Sequence, residues 1–523
     1  MLSNFNSIII FNNQITQILP VWGRFNSLIE IQFHIFIDYI SYNFSTLTAL
    51  IALTAYAYSI VYMRFEVNII YFIFLLKLFV LSMITLVWAG NWITFVFGWE
   101  MIGISSFLLI NFWVNKITTL KSAFKAFTFN KFSDICLIIA FLLILNISGT
   151  YFNTQYYSLN MLNYNYLNIF NIKCNLLDLI IISLILCSFC KSAQFGFHFW
   201  LPDSMEAPVP ASALIHSATL VSAGIYLLLR YNILIQYSVI GWNIILIISS
   251  FTSLYGAIIA AFQTDGKKTL AYSTISHCGF LMVSITMFNP LITLLYLIGH
   301  GIFKSASFMC VGNLIQINSN YQDSRVWGNY SLYLYVEFFW LTLCITNLSG
   351  LPFTINFFTK HFLLFSYNYS NITLLIAYIF MKFAAYSGIF YSLKIISNSF
   401  FSFKKSFFKN YNIVQWDLLD YLENKRFFKV NKLFLIFISS LILIGLILIN
   451  SFILLFFTQN WIYLDTFSNF NLFYNNFYYN VLINYFFIIM FFEFFLNFFN
   501  YKNTNKINGA IILVIYLFTS YLL

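Results

Sequence analysis

The chain has 523 residues, of which 61% are hydrophobic and only 8% charged, and its mean hydropathy is +0.82. Soluble domains carry about 25% charged residues, so this composition excludes a soluble fold. The formal net charge of +10 does not indicate nucleic-acid binding, because the basic residues are confined to alternate connections between apolar runs.

Apolar runs long enough to cross a membrane extend along most of the chain. About 20 apolar residues cross a hydrocarbon core of roughly 30 Å, and on that basis the sequence predicts an all-α polytopic membrane protein with about 14 transmembrane helices. Shorter runs lie around Phe358 and Val514. The clear runs are centred near Leu53, Phe79, Gly103, Leu137, Leu184, Ser222, Ile245, Met282, Ile302, Leu343, Phe380, Ile444 and Met490.

Basic residues lie in every second connection between these runs, whereas the opposite connections hold little beyond Lys173 and Arg230. Membrane proteins show this excess of Lys and Arg on the side where the chain is made. The basic side of this chain is therefore expected to face that compartment. The basic connections contain Lys116, Lys121, Lys125, Lys267, Lys268, Arg325 and the run 404–432.

Residues 191–224 combine ionisable side chains with an interrupted apolar run. Lys191 ends one run, three of the chain's six prolines follow, and a new helix contains His216. Ionisable side chains are costly at membrane depth and broken helices free backbone polar groups, so both are tolerated mainly where they line a polar path. The stretch therefore predicts an ion or proton pathway.

The seven cysteines form no recognisable redox or metal motif. Cys187 and Cys190 make a C-x-x-C just before Lys191, but no second pair or histidine follows at the spacing of zinc ligands. The sequence also lacks a P-loop, a C-x-x-C-H and a strand-associated G-x-G-x-x-G. We therefore expect neither cofactor nor metal in this chain, and expect any redox chemistry to belong to another polypeptide.

Several sequence blocks occur in unbroken order between about Ile37 and Lys394. One of them is the stretch 191–224, and the others are FGWEMIGISSFLLINFW at 97–113, FNKFSDICL at 129–137, QTDGKKTLAYSTIS at 263–276, GHGIFKSASFMCVGNLI at 299–315, QDSRVWG at 322–328 and LPFTINFFTKH at 351–361. Together they resemble the antiporter-like subunits of respiratory complex I. The resemblance implies two inverted five-helix repeats, each with one broken helix.

The residues themselves show signs of such a repeat. Pro202 and Pro352 interrupt two apolar segments, and each interruption lies near a lysine, Lys191 and Lys360 respectively. Paired interrupted helices in corresponding halves of a transporter indicate an ion site near the membrane midplane. The two breaks therefore predict two linked sites in one pathway.

Glu100 and Lys191 are the first candidate residues of that pathway. Glu100 lies in the middle of an apolar run beside Trp99, where burial favours a neutral carboxyl and a neighbouring lysine favours the ionised form. The resemblance implies that Lys191 is this neighbour, so that the two titrate as one unit. A static structural ion pair is the alternative.

The resemblance implies that His216, Lys304 and Lys360 continue the pathway. Imidazole titrates near neutral pH, which suits a relay, although a lone histidine on a helix is often only a packed hydrogen-bonding residue. Lys304 lies in an apolar helix, where snorkelling to the interface is an alternative. His300 lies one turn before Lys304, and the two are expected to share water.

Two sets of charged residues are expected to support the pathway. Lys131 and Asp134 lie three residues apart on one helix, and we interpret them as support or input residues. Asp265, Lys267 and the adjacent Lys268 resemble the entry-side loop and helix start of the family. For these three residues, charge that is simply solvated at the surface is the competing interpretation.

The sequence departs from the family pattern in three places. His361 stands where the family usually has an acid after the lysine, so we expect His361 to take part in proton release; the alternative is that the exit lies elsewhere. His277 replaces the usual Gln, without explanation from the sequence. The ends are short: we expect the chain to lack the full lateral helix of the family, and the family's first two helices to be absent or supplied by another polypeptide.

Four segments are predicted along the chain. Residues 1–33 form a short N-terminal segment, and 34–400 form the antiporter-like core that translocates protons. Residues 401–433 form a polar connector, and 434–523 form C-terminal helices with a reduced lateral-helix region.

The resemblance implies a proton-translocating, multi-pass subunit of complex I in the mitochondrial inner membrane. Flavin, iron–sulfur clusters and ubiquinone are expected in other subunits. The expected partners are other membrane-arm subunits, especially the antiporter-like subunit 4, together with accessory subunits and membrane lipids. Two alternatives remain: a subunit of an Mrp-type cation/proton antiporter, and a structural anchor that has lost the pathway.

Overall fold

The structure is a computed structural model that describes residues 8–11, 14–25, 29–148, 166–169, 172–217, 219–318, 320–328, 334–351, 354–365 and 372–402. Within this part, eight helices are long and apolar enough to cross a membrane. The helices are α1 (Tyr39–Tyr62), α2 (Ile69–Val87), α3 (Trp92–Ile110), α4 (Ile117–Ser148), α5 (Leu176–Lys191), α6 (Trp200–Asp203), α7 (Val209–Ser217), α8 (Leu220–Arg230), α9 (Asn232–Tyr237), α10 (Val239–Phe262), α11 (Gly266–Ile285), α12 (Pro290–Ile317), α13 (Tyr335–Ser349), α14 (Ile355–Phe365) and α15 (Ile372–Ile396).

The predicted helical, polytopic class is confirmed. Every predicted helix centre from Leu53 to Phe380 lies in a helix, and so does the less certain centre at Phe358. The connector 401–433, apart from its first two residues, and the C-terminal region 434–523 lie outside the described residues. The predictions of a reduced lateral helix and of helices near Ile444, Met490 and Val514 fall there.

A small sheet precedes the helices and a pair of strands lies between α4 and α5, and neither was predicted. Strands β1 (Ile8–Phe11), β2 (Gln14–Phe25) and β3 (Ile29–Ile37) form an antiparallel sheet in that order, and β4 (Tyr166–Ile169) pairs with β5 (Ile172–Asn175). The backbone of β3 also bonds to the α2–α3 connection, where the Phe36 amide donates to the Trp88 carbonyl at 2.9 Å. The sheet is thereby fixed to one end of the helical bundle.

The helices fall into two sets with the same order. In each set, three uninterrupted helices precede a broken helix, and one further span follows. The first set is α2, α3, α4, the pair α5–α6 and the interrupted span α7–α8, whereas the second is α10, α11, α12, the pair α13–α14 and α15. Since equivalent helices are five crossings apart, they run in opposite directions, as the inverted-repeat prediction requires.

Two of the basic connections, 263–268 and 322–328, contact each other, since the amide of Gly266 donates to the Gln322 carbonyl at 2.9 Å. Lys125 forms an ion pair with Asp203 at 2.5 Å. Arg230, which lies at the start of a connection with few basic residues, forms an ion pair with Asp38 at 2.5 Å, and Asp38 caps the N-terminus of α1. The compartment that the basic connections face stays a prediction.

Helices α10 and α11 pack closely through small residues. A Cβ added to Gly279 would lie 2.6 Å from the Ser249 carbonyl oxygen and 2.7 Å from the Ser253 amide nitrogen, so only glycine fits there. Small residues allow such close backbone approach between membrane helices. This contact holds α11 in place, and α11 supplies much of the site described below.

We expect Gly279→Ala to destabilise the protein by about 1–3 kcal/mol, the usual cost of overpacking a well-packed core. The matched control is Gly388→Ala on α15, because a Cβ there meets only the Tyr391 hydroxyl, at 4.0 Å. The thermal midpoint of the detergent-solubilised protein measures the difference. Equal midpoints for the two variants would contradict the close contact.

Candidate functional site

Each broken helix brings a lysine to the C-terminal end of a half-helix. Helix α5 ends at Lys191, and the chain then turns through Ala193 (φ 53°) and Gly196 (φ 92°) before α6 begins. Helix α13 ends at Ser349 and is capped by Gly350, which has φ 78°, and the Lys360 ammonium reaches back to the Leu348 carbonyl at 2.5 Å. Positive charge at the C-terminus of a helix is favoured by the helix dipole.

The prediction that Pro202 interrupts the first broken helix is wrong, and the same prediction for Pro352 in the second stays open. Pro202 lies inside α6, and the first break is the segment 192–199 that precedes it. A proline fits an early position of a helix, because the amide it lacks has no partner in the first turn. Pro352 lies outside the described residues, although the second break, between α13 and α14, falls where it was predicted.

Glu100 forms its ion pair with Lys131 rather than with Lys191. The Lys131 ammonium contacts the Glu100 carboxylate and lies 3.3 Å from Asp134. Lys191 instead donates to the Trp99 carbonyl at 3.5 Å and lies 5.1 Å from the centre of the Trp99 indole. Adjacent residues on a helix project about 100° apart, so Trp99 faces α5 while Glu100 faces α4.

The expected unit of two residues is therefore a cluster of four. The charges of Asp134 and Glu100 both act on Lys191, and that of Asp134 acts more strongly. Lys191 is fully buried and Asp134 is 5% exposed. The two supporting residues of the sequence prediction thus belong to this group, since Lys131 contacts Glu100 and lies 3.3 Å from Asp134.

His216 is buried beside a second interruption that the sequence did not indicate. Helix α7 ends one residue after it, and α8 begins at Leu220 after Thr219 (φ −120°, ψ −90°). The Thr219 hydroxyl donates to the Leu214 carbonyl at 2.8 Å, which occupies a group freed by the break. One imidazole nitrogen of His216, Nε2, lies 3.1 Å from the Ser204 hydroxyl.

Lys304 is buried in the centre of the bundle, so snorkelling is excluded. Its ammonium donates to the Ser273 hydroxyl of α11, and its charge acts on His216. His300 lies one turn earlier on α12, and its Nε2 has no hydrogen-bond partner among the described residues. Buried polar atoms in proteins usually bond to ordered water when protein partners are absent, which fits the expected shared water.

His277, noted only as a departure, belongs to this central group. Its Nδ1 lies 2.8 Å from the Tyr296 hydroxyl and its Nε2 lies 3.4 Å from the Tyr391 hydroxyl. The His300 ring centre is 5.1 Å away. Tyr391 gave no local sequence signal, because its partner is 114 residues distant along the chain.

Lys360 and His361 lie together on α14. Lys360 is 4% exposed, and its ammonium lies 5.5 Å from the centre of the Phe280 ring. The His361 ring packs against Phe357 with 4.2 Å between ring centres. The role of His361 in proton release stays a prediction.

The entry-side lysines have different environments. Lys267 is 3% exposed and donates to the carbonyls of Met205 and Ala207 at 3.4 and 3.3 Å. Lys268 forms a half-exposed ion pair with Asp265 at 3.5 Å. The solvated-charge interpretation therefore fits Lys268 but not Lys267, which holds the backbone that follows the first broken helix.

A family model described as "NADH:quinone oxidoreductase/Mrp antiporter, TM" matches residues 89–385, so the chain belongs to the NADH:quinone oxidoreductase/Mrp antiporter family. It is 41% identical to NADH-ubiquinone oxidoreductase chain 5 of Paramecium tetraurelia, over 89% of this chain and 82% of that one. It is 34% identical to chain 5 of Acanthamoeba castellanii, over 72% of this chain and 56% of that one.

The solved Mrp complex of Dietzia sp. DQ12-45-1b shares the fold, with a TM-score of 0.64 and 27% identity, over 70% of this chain and 40% of that one. The Trp99-Glu100 pair, the run 105–109 and a lysine at 360 predict similarity to the distal subunit of complex I, subunit 5. The relatives that bear the name chain 5 confirm this similarity.

We expect Lys267→Met to loosen the backbone of residues 203–207, because the buried ammonium bonds to two carbonyls there. Hydrogen bonds to charged groups contribute about 1.5–3 kcal/mol, whereas an exposed ion pair such as that of Lys268 contributes about 0–1 kcal/mol. Hydrogen exchange of amides 203–207 should accelerate in Lys267→Met and stay unchanged in Lys268→Met. Equal exchange in both variants would place Lys267 among the solvated charges.

Proposed function

We propose that this chain translocates protons across the mitochondrial inner membrane as a membrane-arm subunit of NADH:ubiquinone oxidoreductase. The supporting observation is a file of buried ionisable side chains through the centre of the bundle. Lys191, His216, Lys304 and Lys360 are each at most 4% exposed, and three of the four lie at or next to a helix interruption. The family and the chain 5 relatives support the same assignment.

The geometry suits stepwise proton transfer. Burial opposes a charged ammonium, whereas nearby carboxylates and helix C-termini favour it, so the proton affinity of each lysine depends on the charge of its neighbours. In the four-residue cluster, a movement of Lys131 away from Glu100 would change the charge that acts on Lys191. Lys191 would then pass its proton toward His216, and Lys304 and Lys360 would continue the transfer.

The exposed side of the four-residue cluster supports an assignment of this chain's partner subunit. The side chains of Glu100 and Lys131 are 29% and 40% exposed, although both lie on helices at membrane depth. Charged groups at that depth face protein or water rather than lipid. We therefore place a neighbouring antiporter-like subunit, subunit 4, against this face. The flavin, iron–sulfur clusters and ubiquinone belong to other subunits of the complex, which carry out the redox reaction.

The second candidate is a subunit of an Mrp-type cation/proton antiporter, favoured by the likeness to the Mrp complex. The chain 5 names of the relatives favour complex I instead. A structural anchor without a pathway is the third. Retention of buried lysines at both broken helices argues against it, because unused charges in a membrane core are costly.

Copurification separates the first two candidates. The chain, affinity-tagged and extracted in mild detergent, should bring down partners that contain flavin and iron–sulfur clusters, together with NADH oxidation activity. Flavin absorbance and the electron paramagnetic resonance signals of reduced clusters measure this. A complex of membrane subunits without these cofactors would favour the antiporter.

We expect Lys191→Met and Lys304→Met each to lower proton pumping per NADH oxidised, since general acid and base groups contribute about 10²-fold or more to the transfers they mediate. Lys77→Met is the matched control, because Lys77 lies on α2 with an exposed side chain outside the file. Pumping is measured in membrane vesicles and normalised to the assembled complex. Normal pumping in both buried-lysine variants would exclude them from the path.

A further inference from the structure

Helices α11, α12 and α15 enclose a polar cluster near Lys304 and Lys360. His277 and Ser273 come from α11, Tyr296 from α12 and Tyr391 from α15. His277, Ser273 and Tyr296 are at most 1% exposed, and Tyr391 is 4% exposed. This cluster was not among the expected pathway residues.

One side of the cluster is continuous with Lys304. The Lys304 ammonium donates to the Ser273 hydroxyl, and Ser273 lies one turn before His277 on α11. The Tyr391 hydroxyl of α15 lies 3.4 Å from Nε2 of His277. Lys304 and His277 thus each contact one hydroxyl, that of Ser273 and that of Tyr391 respectively.

The other side of the cluster points to Lys360. The His277 ring centre lies 5.1 Å from that of His300. Helix α12, which contains His300, packs against α14 at Gly299, where an added Cβ would lie 2.5 Å from the Asn356 amide oxygen. Neither amide atom of Asn356 has a hydrogen-bond partner among the described residues, and Asn356 lies one turn before Lys360 on α14. Water bound at these atoms and at Nε2 of His300 would complete the connection.

The two tyrosines leave both neutral forms of His277 satisfied. A neutral imidazole has one donor and one acceptor nitrogen, whereas a hydroxyl both donates and accepts. His277 lies between two hydroxyls, so moving the proton from one ring nitrogen to the other only reverses the direction of the neighbouring hydrogen bonds. A packing histidine needs one fixed tautomer, and this arrangement does not impose one.

We propose that Tyr391 and His277 relay protons between Lys304 and Lys360, an inference that rests on the proposed proton translocation. Nε2 of His277 takes the Tyr391 hydroxyl proton, which the Lys304 ammonium replaces through Ser273. Nδ1 of His277 releases its proton through the Tyr296 hydroxyl to the water beside His300 and Asn356, from which Lys360 accepts it. Each group thus gains one proton for each that it gives up, and Lys304 ends neutral.

Three substitutions test the relay in membrane vesicles that contain the whole complex. His277→Gln removes the group that changes tautomer, Tyr391→Phe removes only a hydroxyl, and Tyr386→Phe on the same helix is the matched control. Protons pumped per NADH oxidised are measured and normalised to the complex seen on native gels. Lys304→Met membranes provide the reference for a blocked path.

We expect His277→Gln and Tyr391→Phe each to lower the ratio to the Lys304→Met value, and the double variant to lower it no further, because residues of one path are not additive. Tyr386→Phe should pump normally. A normal ratio in Tyr391→Phe, or additive losses, would overturn the relay, and Tyr391→Phe decides if His277→Gln does not assemble. A normal ratio in Lys304→Met would instead overturn the proposed translocation itself.

Discussion

Backbone groups freed by broken helices must find partners inside the membrane, and this chain supplies lysine ammonium groups for that purpose. Unsatisfied carbonyls cost several kcal/mol in hydrocarbon. Lys360 donates to the Leu348 carbonyl at the end of α13, and Lys267 donates to the carbonyls of Met205 and Ala207. At the ordinary end of the uninterrupted helix α10, Lys394 likewise donates to the carbonyls of Ala261 and Gln263. The interruptions and the buried charges therefore stabilise each other.

In the proposed pathway, this dependence would link proton transfer to local structure. If Lys360 gave up its proton, its bond to the Leu348 carbonyl would lose the added strength of a charged donor, which roughly doubles that of a neutral one. The half-helix end would then hold its lysine less firmly, and the charge that acts on neighbouring groups would fall. Transfer at one proposed site would thereby change the proton affinity of the next without a large movement of the helices.

Much of the fold could be predicted from the sequence, because apolar length and the cost of polar backbone in a membrane leave few solutions. Helix positions from Leu53 to Phe380 followed from these rules, and so did the presence of two broken segments, although the first break lies before Pro202 rather than at it. The N-terminal sheet was missed: β1 and β2 lack a clean alternation of apolar and polar residues, whereas β3 does alternate from Ile29 to Ile35, and this strand signal was overlooked. The interruption beside His216 was also missed, since Ser217 and Thr219 do not by themselves stop a helix.

The sequence identified the residues of the candidate site, but it did not predict which of them contact each other. Lys191 and Glu100 were identified from their depth and from the resemblance, yet their pairing was wrong because a 100° step along α3 turns Trp99, not Glu100, toward α5. The sequence fixes which side chains are ionisable, whereas helix rotation decides which of them meet. Lys131, assigned only a supporting role, consequently holds Glu100 directly and leaves Asp134 as the carboxylate that acts most strongly on Lys191.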